Sequence, residues 1–145
     1  MENTANPLDG LLCFGVYSTG LAFNRVYKPI LDRFGLTYLQ YLVLVALREE
    51  DDQRVSDLGD GLFLESNTLT PLIKRMEAAG VVSRRRDARD ERVVRVSLTE
   101  AGRALARDAA CVPDEILQAT GLTLEQLGAL QSALLKLRTT LRAAA

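Results

Sequence analysis

Between Leu69 and Leu98 the spacing of the apolar residues changes period, and this limits the fold more than any other feature of the chain. Leu69, Leu72, Ile73 and Met76 recur at i, i+3, i+4 and i+7, which is one face of a helix. Val94, Val96 and Leu98 alternate instead, which is one face of a strand. The helix is predicted from about Ser66 or Thr68 to Ala79, with Gly80 behind it. Pro71 favours the later start, because a missing N–H costs nothing in a first turn. Val81 to Ser83 begins one strand, Arg84 to Asp90 forms a tip, and Arg92 to Leu98 returns.

The same spacing rules extend to both ends. Asn6-Pro7 reads as the cap and first residue of a long helix that stops at Gly35, kinked or cut short at Pro29. Thr37 starts a second helix, which the acidic run Glu49–Asp52 ends. A short third helix runs from about Ser56 to Leu62. Thr99 caps a fifth helix reaching about Thr120, and Gly121 breaks the chain. Thr123 caps a sixth, striped by Leu124, Leu127, Leu130, Leu134, Leu137 and Leu141.

Four helices, a hairpin and two further helices make a mainly α fold with a small β-hairpin wing. It is a winged helix-turn-helix flanked by N- and C-terminal helices. One domain is expected over residues 1–145, with the winged part at about 36–98. The flanking helices, at about 7–35 and 99–145, carry more apolar surface than one small domain covers, which predicts a homodimer.

Composition removes several function classes. The chain has no histidine and two cysteines, Cys13 and Cys111. Zinc sites of Cys and His are excluded, as is histidine catalysis, and no metal or cofactor is expected. No apolar run is long enough for a membrane span. The N-terminal MENTANPLDG lacks a basic region followed by an apolar run, so a cytoplasmic protein without a secretory signal is expected. A structural disulfide is disfavoured there.

The net charge of −1 argues against a nucleic-acid partner, but its distribution does not. Residues 66–98 hold eight Lys/Arg and four acids, a balance of +4, against ten and fifteen elsewhere, a balance of −5. A basic segment in an acidic chain is a footprint for phosphate; the plainer alternative is a solvated loop. The helix face opposite the apolar stripe carries Asn67, Pro71, Lys74 and Ala78, flanked by Thr68, Thr70 and Arg75, with Ser66 at the helix start a further DNA-contact candidate. Hydroxyls near a helix start and bases further along suit a major groove of double-stranded DNA. The hairpin adds Arg84, Arg86, Asp90 and Arg92, suited to a minor groove.

The run DARDERVVRVSLTEAGRAL resembles the wing-to-helix signature of the MarR family of bacterial transcription regulators. That resemblance implies an operator-binding repressor in which Asp90 orients Arg92 into the minor groove.

Cys13 lies about two turns into the first helix if Pro7 begins it. A helix N-terminus favours a thiolate only over its first turn, and no Lys or Arg precedes Arg25. Activation therefore falls to hydrogen bonds, for which tyrosines are the available donors. Tyr17 is one turn away at i+4. Tyr27, at i+14, is about 21 Å along an unbroken helix; unless the helix folds back it cannot touch its own Cys13, but it can touch a partner's if two copies of the helix meet at a dimer interface.

The stretches CFGVYSTGLAFNRVYKPILDRFGLTYLQYLVL and LFLESNTLTPLIKRMEAAGVVSRR are similar to the OhrR branch of that family, repressors that respond to organic hydroperoxides. The similarity implies that Cys13 is the redox sensor, held by the partner's Tyr27 and Tyr38 with Tyr17 nearby. It implies release of DNA once an organic hydroperoxide has oxidised that sulfur. Cys111 corresponds either to a resolving thiol or to a buried core cysteine. It precedes Pro113 by two residues, whereas the branch's resolving cysteine is expected after a proline.

Other readings remain open at this level. The trigger could be a small aromatic ligand, Cys13 could be a small buried hydrophobe, or the chain could be a thiol peroxidase or an interaction module. Without an Arg or His beside the thiol, or a CxxC pair for recycling, an enzyme is not expected.

Overall fold

Asn6 caps a helical turn, but a short one. Its side chain accepts from the Leu8 amide at 2.9 Å, and Pro7–Gly10 forms a single 3-10 turn. Leu11 is then extended, and α1 (Leu12–Asp32) begins five residues later than the apolar spacing suggests. Gly10 accounts for the break, because a glycine inside a helix is the costliest ordinary residue. Pro29 does not end α1, which continues for one more turn. Gly35 does turn the chain, at φ 68°, and Leu36 donates back to the Leu31 carbonyl at 3.2 Å.

The structure, a computed structural model, describes residues 6–145. The stretch read for a secretory signal begins with residues 1–5, which lie outside the described residues. The chain divides into two compact units, one ending at Val112 and one spanning Pro113–Ala145.

In the first unit Thr37 and Gln40 form a reciprocal capping box that starts α2 (Tyr38–Glu49). A two-residue strand, β1 (Gln53–Arg54), follows, and apolar spacing gives no sign of it. Next come α3 (Val55–Leu62) and, after a three-residue turn, α4 (Ser66–Ala78). The earlier of the two expected starts of α4 is the real one. Pro71 lies inside the helix and merely leaves the exposed Asn67 carbonyl without an intrahelical donor.

The hairpin is β2 (Val82–Arg86) and β3 (Val94–Leu98), so its strands are offset from the expected ones and its tip runs from residue 87 to 93. β1 adds an antiparallel third strand in the order β1-β3-β2. Leu69, Ile73 and Met76 of α4 pack with Val82 and Val96 of the sheet and Leu44 and Leu47 of α2, all at most 2% exposed.

α5 (Glu100–Asp108) starts at the Thr99 cap but does not reach Thr120. Residues Ala109–Cys111 tighten into a 3-10 turn before α6 (Val112–Thr120). Pro113 explains the interruption, since it has no N–H for the Ala109 carbonyl and its ring crowds that group. In the second unit Thr123 and Gln126 box the start of α7 (Leu124–Ala144). α7 buries none of its residues. Among the described residues no helix is long and apolar enough to cross a membrane, and no acidic, Cys or His cluster could hold a metal.

Candidate nucleic-acid interface and thiol site

α4 and the hairpin face one another across a cleft of about 280 Å³. Ser66 and Thr70 of α4 line it with Arg84 and Arg92 of the hairpin, so four residues distant in sequence meet at one surface. Asn67 and Thr68 are exposed on the first turn of α4, and Lys74 and Arg75 further along it. Glu65 caps the helix with its backbone only, so the hydroxyls of that turn are not used in capping.

The arginines divide into two groups. At the tip, the Asp90 carboxylate accepts from Arg92 Nε at 3.1 Å and Nη2 at 3.2 Å. Those hydrogen bonds hold the Asp90 carboxyl below its ordinary range. Arg92 itself is 91% exposed, so the acid orients the guanidinium without covering it. Arg86 donates to the Glu91 carbonyl at 2.7 Å, which braces the tip.

Arg84 departs from its expected place. Its Nε and Nη2 donate to Glu77 Oε1 at 3.2 and 3.0 Å, and its amide donates to Oε2. This fork ties β2 to α4 and holds the Glu77 carboxyl below its usual value. Arg84 thus positions the hairpin and does not present a free guanidinium.

Asp52 is the residue that sequence spacing does not reveal. Its carboxylate accepts from Arg85 Nη2 at 2.8 Å and Arg95 Nε at 3.0 Å, and its carbonyl from Arg95 Nη2 at 2.7 Å. The Arg85 and then the Arg95 hydrogen bonds pull the carboxyl down to about 2. Asp51 beside it accepts the Leu98 amide at 2.9 Å and lies 3.7 Å from Arg103 Nη1. The basic footprint of residues 66–98 is therefore smaller than its residue count, because Arg84, Arg85 and Arg95 neutralise carboxylates within the fold. Only Glu77 and Asp87 among those carboxylates lie in the same stretch.

Cys13 and Tyr27 lie near opposite ends of α1. Cys13 is the second residue of α1 and is exposed, which excludes the buried-hydrophobe reading within one chain. It stands among the unpaired N–H groups of the first turn, and not two turns in, because the helix starts at Leu12. Tyr17, one turn on, is 63% exposed with its ring 6.4 Å from that of Phe14.

At the far end Tyr27 meets Tyr38 at 4.7 Å and Tyr41 at 6.1 Å between ring centroids. Tyr41, buried on α2, joins the cluster. Burial, then the neighbouring Tyr38 and Tyr41, push the Tyr27 phenol up to about 12, so it remains a hydrogen-bond donor. Burial raises Tyr41 too, with Arg48 opposing and Tyr38 and Cys111 adding. Cys111 is exposed in its 3-10 turn, 3.8 Å from Arg33 Nη2, so the core-cysteine alternative does not hold.

A family model for the transcriptional regulator SarA/Rot matches residues 25–109. The Organic hydroperoxide resistance transcriptional regulator of Bacillus subtilis is 42% identical over 97% of both chains. The chain is a SarA/Rot-type transcriptional regulator of the MarR family. This MarR-family chain is also 47% identical to the HTH-type transcriptional regulator TtmR of Methylorubrum extorquens, over 95% of its own length and 71% of TtmR. Reduced AbfR bound to DNA superposes with a TM-score of 0.79 at 35% identity, covering 94% of each chain; AbfR is a protein of Staphylococcus epidermidis. The winged-helix architecture and the MarR resemblance of the wing are thus both correct. The MarR family is one of regulators, so the peroxidase reading is dropped.

Proposed function

We propose that this MarR-family regulator binds operator DNA as a homodimer and that oxidation of Cys13 by an organic hydroperoxide releases it. Residues 36–98 would read the DNA and the helices on either side would dimerise. α4 would enter a major groove with Ser66, Asn67, Thr68, Thr70, Lys74 and Arg75. Arg92, aimed by Asp90, would enter the adjacent minor groove, with Arg86 beside it and Arg84 holding the hairpin in place. A relative, AbfR, has been seen on DNA both reduced and overoxidised.

One observation carries the redox part: α1 is a single helix with Cys13 near one end and Tyr27 near the other. Cys13 and Tyr27 are separated by 14 residues, about 21 Å, so no chain completes its own site. Only Leu31 of α1 is buried, while Leu12, Val16, Leu21, Phe23 and Val26 are exposed. A second copy of the chain is the proposed cover. A two-fold axis at Gly20 sets Cys13 opposite the partner chain's copy of residue 27. Gly20 has open space where a Cβ would be, so the helices can close there. The exposed Leu124, Leu130, Leu134 and Leu141 of α7 offer further apolar surface to a partner.

The chemistry then balances. The Cys13 thiolate attacks the outer peroxide oxygen, the S–O bond forms as the O–O bond breaks, and the alkoxide takes a proton to leave as an alcohol. The sulfur is oxidised to a sulfenic acid and the peroxide is reduced. Condensation with a second thiol gives a disulfide and water. Cys111 is the proposed resolving thiol, because it is exposed and is, with Cys13, one of the two cysteines of the chain. Release is assigned to this disulfide stage, as overoxidised AbfR still occupies DNA.

Gel shifts with one equivalent of cumene hydroperoxide test this. Operator binding by the wild type should be lost and that by Cys13→Ser retained. Equal release of both proteins would reject a cysteine trigger.

A further inference from the structure

α2 is twelve residues long, and it touches the candidate sensor at one end and the wing at the other. Its first turn carries Tyr38 and Tyr41 against Tyr27. About 18 Å further on, the turn after α2 grips the sheet. Gln53 Nε2 donates to the Ala46 and Glu50 carbonyls at 3.2 and 2.7 Å, closing the end of the helix. Asp51 takes the Leu98 amide, and Asp52 takes Arg85 of β2 and Arg95 of β3.

Besides the β1–β3 backbone pairing and the Asp51–Leu98 hydrogen bond, the wing has two ion-paired anchors. Glu77 joins it to α4 through Arg84, and Asp52 joins it to the end of α2 through Arg85 and Arg95. With both, a shift of α2 relative to α4 changes the angle between hairpin and α4, which decides whether both fit neighbouring grooves. The Asp52 anchor is directional: Arg95 is held by the carboxylate and by the carbonyl of the same residue. Asp52 adopts φ 55°, a conformation that Asp and Asn tolerate better than other side chains.

We propose that Asp52 is a positioning residue that makes the wing move with α2, so that a change at the tyrosine cluster reaches the DNA-reading hairpin. The inference rests on the redox reading above, and its test separates the two. Asp52→Asn keeps the backbone preference and removes the carboxylate. Operator Kd is measured for the dimer before and after one equivalent of cumene hydroperoxide, with thermal melting as the check on folding. The expected result is a folded variant that binds about fivefold more weakly when reduced and whose oxidant-induced change in Kd shrinks by a similar factor. Arg85→Gln, which removes one partner of the same anchor, should shrink the change in the same direction and serves if Asp52→Asn does not fold. A folded variant with the wild-type ratio of oxidised to reduced Kd would overturn the coupling role, whatever its basal affinity. A wild-type ratio of one would instead remove the redox reading itself.

Discussion

Replacing Gly102 with alanine sets two effects of opposite sign against each other. Gly102 is buried in the first turn of α5, where a Cβ would overlap the Val81 carbonyl oxygen and come within 3.2 Å of Leu98 Cδ2. That carbonyl already accepts the Thr99 amide at 3.1 Å, and Thr99 in turn caps α5. Helix propensity alone makes Gly102→Ala stabilising by about 1 kcal/mol. Overpacking costs about 1–3 kcal/mol, towards the upper end here because the overlapped atom is backbone. Loss of the Thr99–Val81 hydrogen bond costs about 1 kcal/mol more. The net is a destabilisation of about 2–3 kcal/mol, which for a chain of this length lowers Tm by about 6–9 °C. Circular-dichroism melts of wild type and Gly102→Ala measure it. Gly61→Ala in α3, where a Cβ meets open space, is the control and should raise Tm by up to about 3 °C. An unchanged or raised Tm for Gly102→Ala would refute the packing argument.

Further expectations concern charge. The Tyr27 phenol, raised from 10.0 to about 12, stabilises the fold fully below pH 10 and progressively less as pH climbs towards 12. Phenolate absorbance should therefore lose its highest step in Tyr27→Phe; an identical titration would contradict the assignment. Asp52, lowered from 3.8 to about 2, contributes stability above pH 3.8 that disappears as pH falls towards 2. The stability gap between wild type and Asp52→Asn should close over that acid window, and a gap that persists at pH 2 would show another cause. Arg92→Ala should leave the fold intact, weaken operator binding about tenfold or more, and lower the salt slope by about one. Wild-type affinity would count against the wing tip as a DNA contact.

Much of the fold is legible because its signals are local. Capping residues Thr37, Thr99 and Thr123, and glycines Gly35 and Gly121, end or begin elements within a few residues of themselves. Where the sequence misleads, two local signals compete. Leu8, Leu11 and Leu12 keep helical spacing across Gly10, and the backbone break wins. The stripe of α5 likewise continues past Cys111, until Pro113 interrupts it. The Asp52 anchor is illegible for a different reason. Its arginines lie 33 and 43 residues away, and an acidic run after a helix looks the same whether solvated or paired. The separation of Cys13 from Tyr27 needs only residue number and helical rise, so it is legible before any coordinates.

The decisive measurement is the oxidation rate of Cys13 in two heterodimers that contain the same three substitutions, differently distributed. In the first, one chain carries Cys13→Ser and the other Tyr27→Phe with Tyr38→Phe. In the second, one chain carries all three and its partner is wild type. If phenols hold the thiol across the interface, the remaining Cys13 of the first heterodimer faces intact tyrosines and reacts with cumene hydroperoxide at the wild-type rate, while that of the second is slowed. Equal rates, or the reverse order, would contradict a sensor shared between two chains.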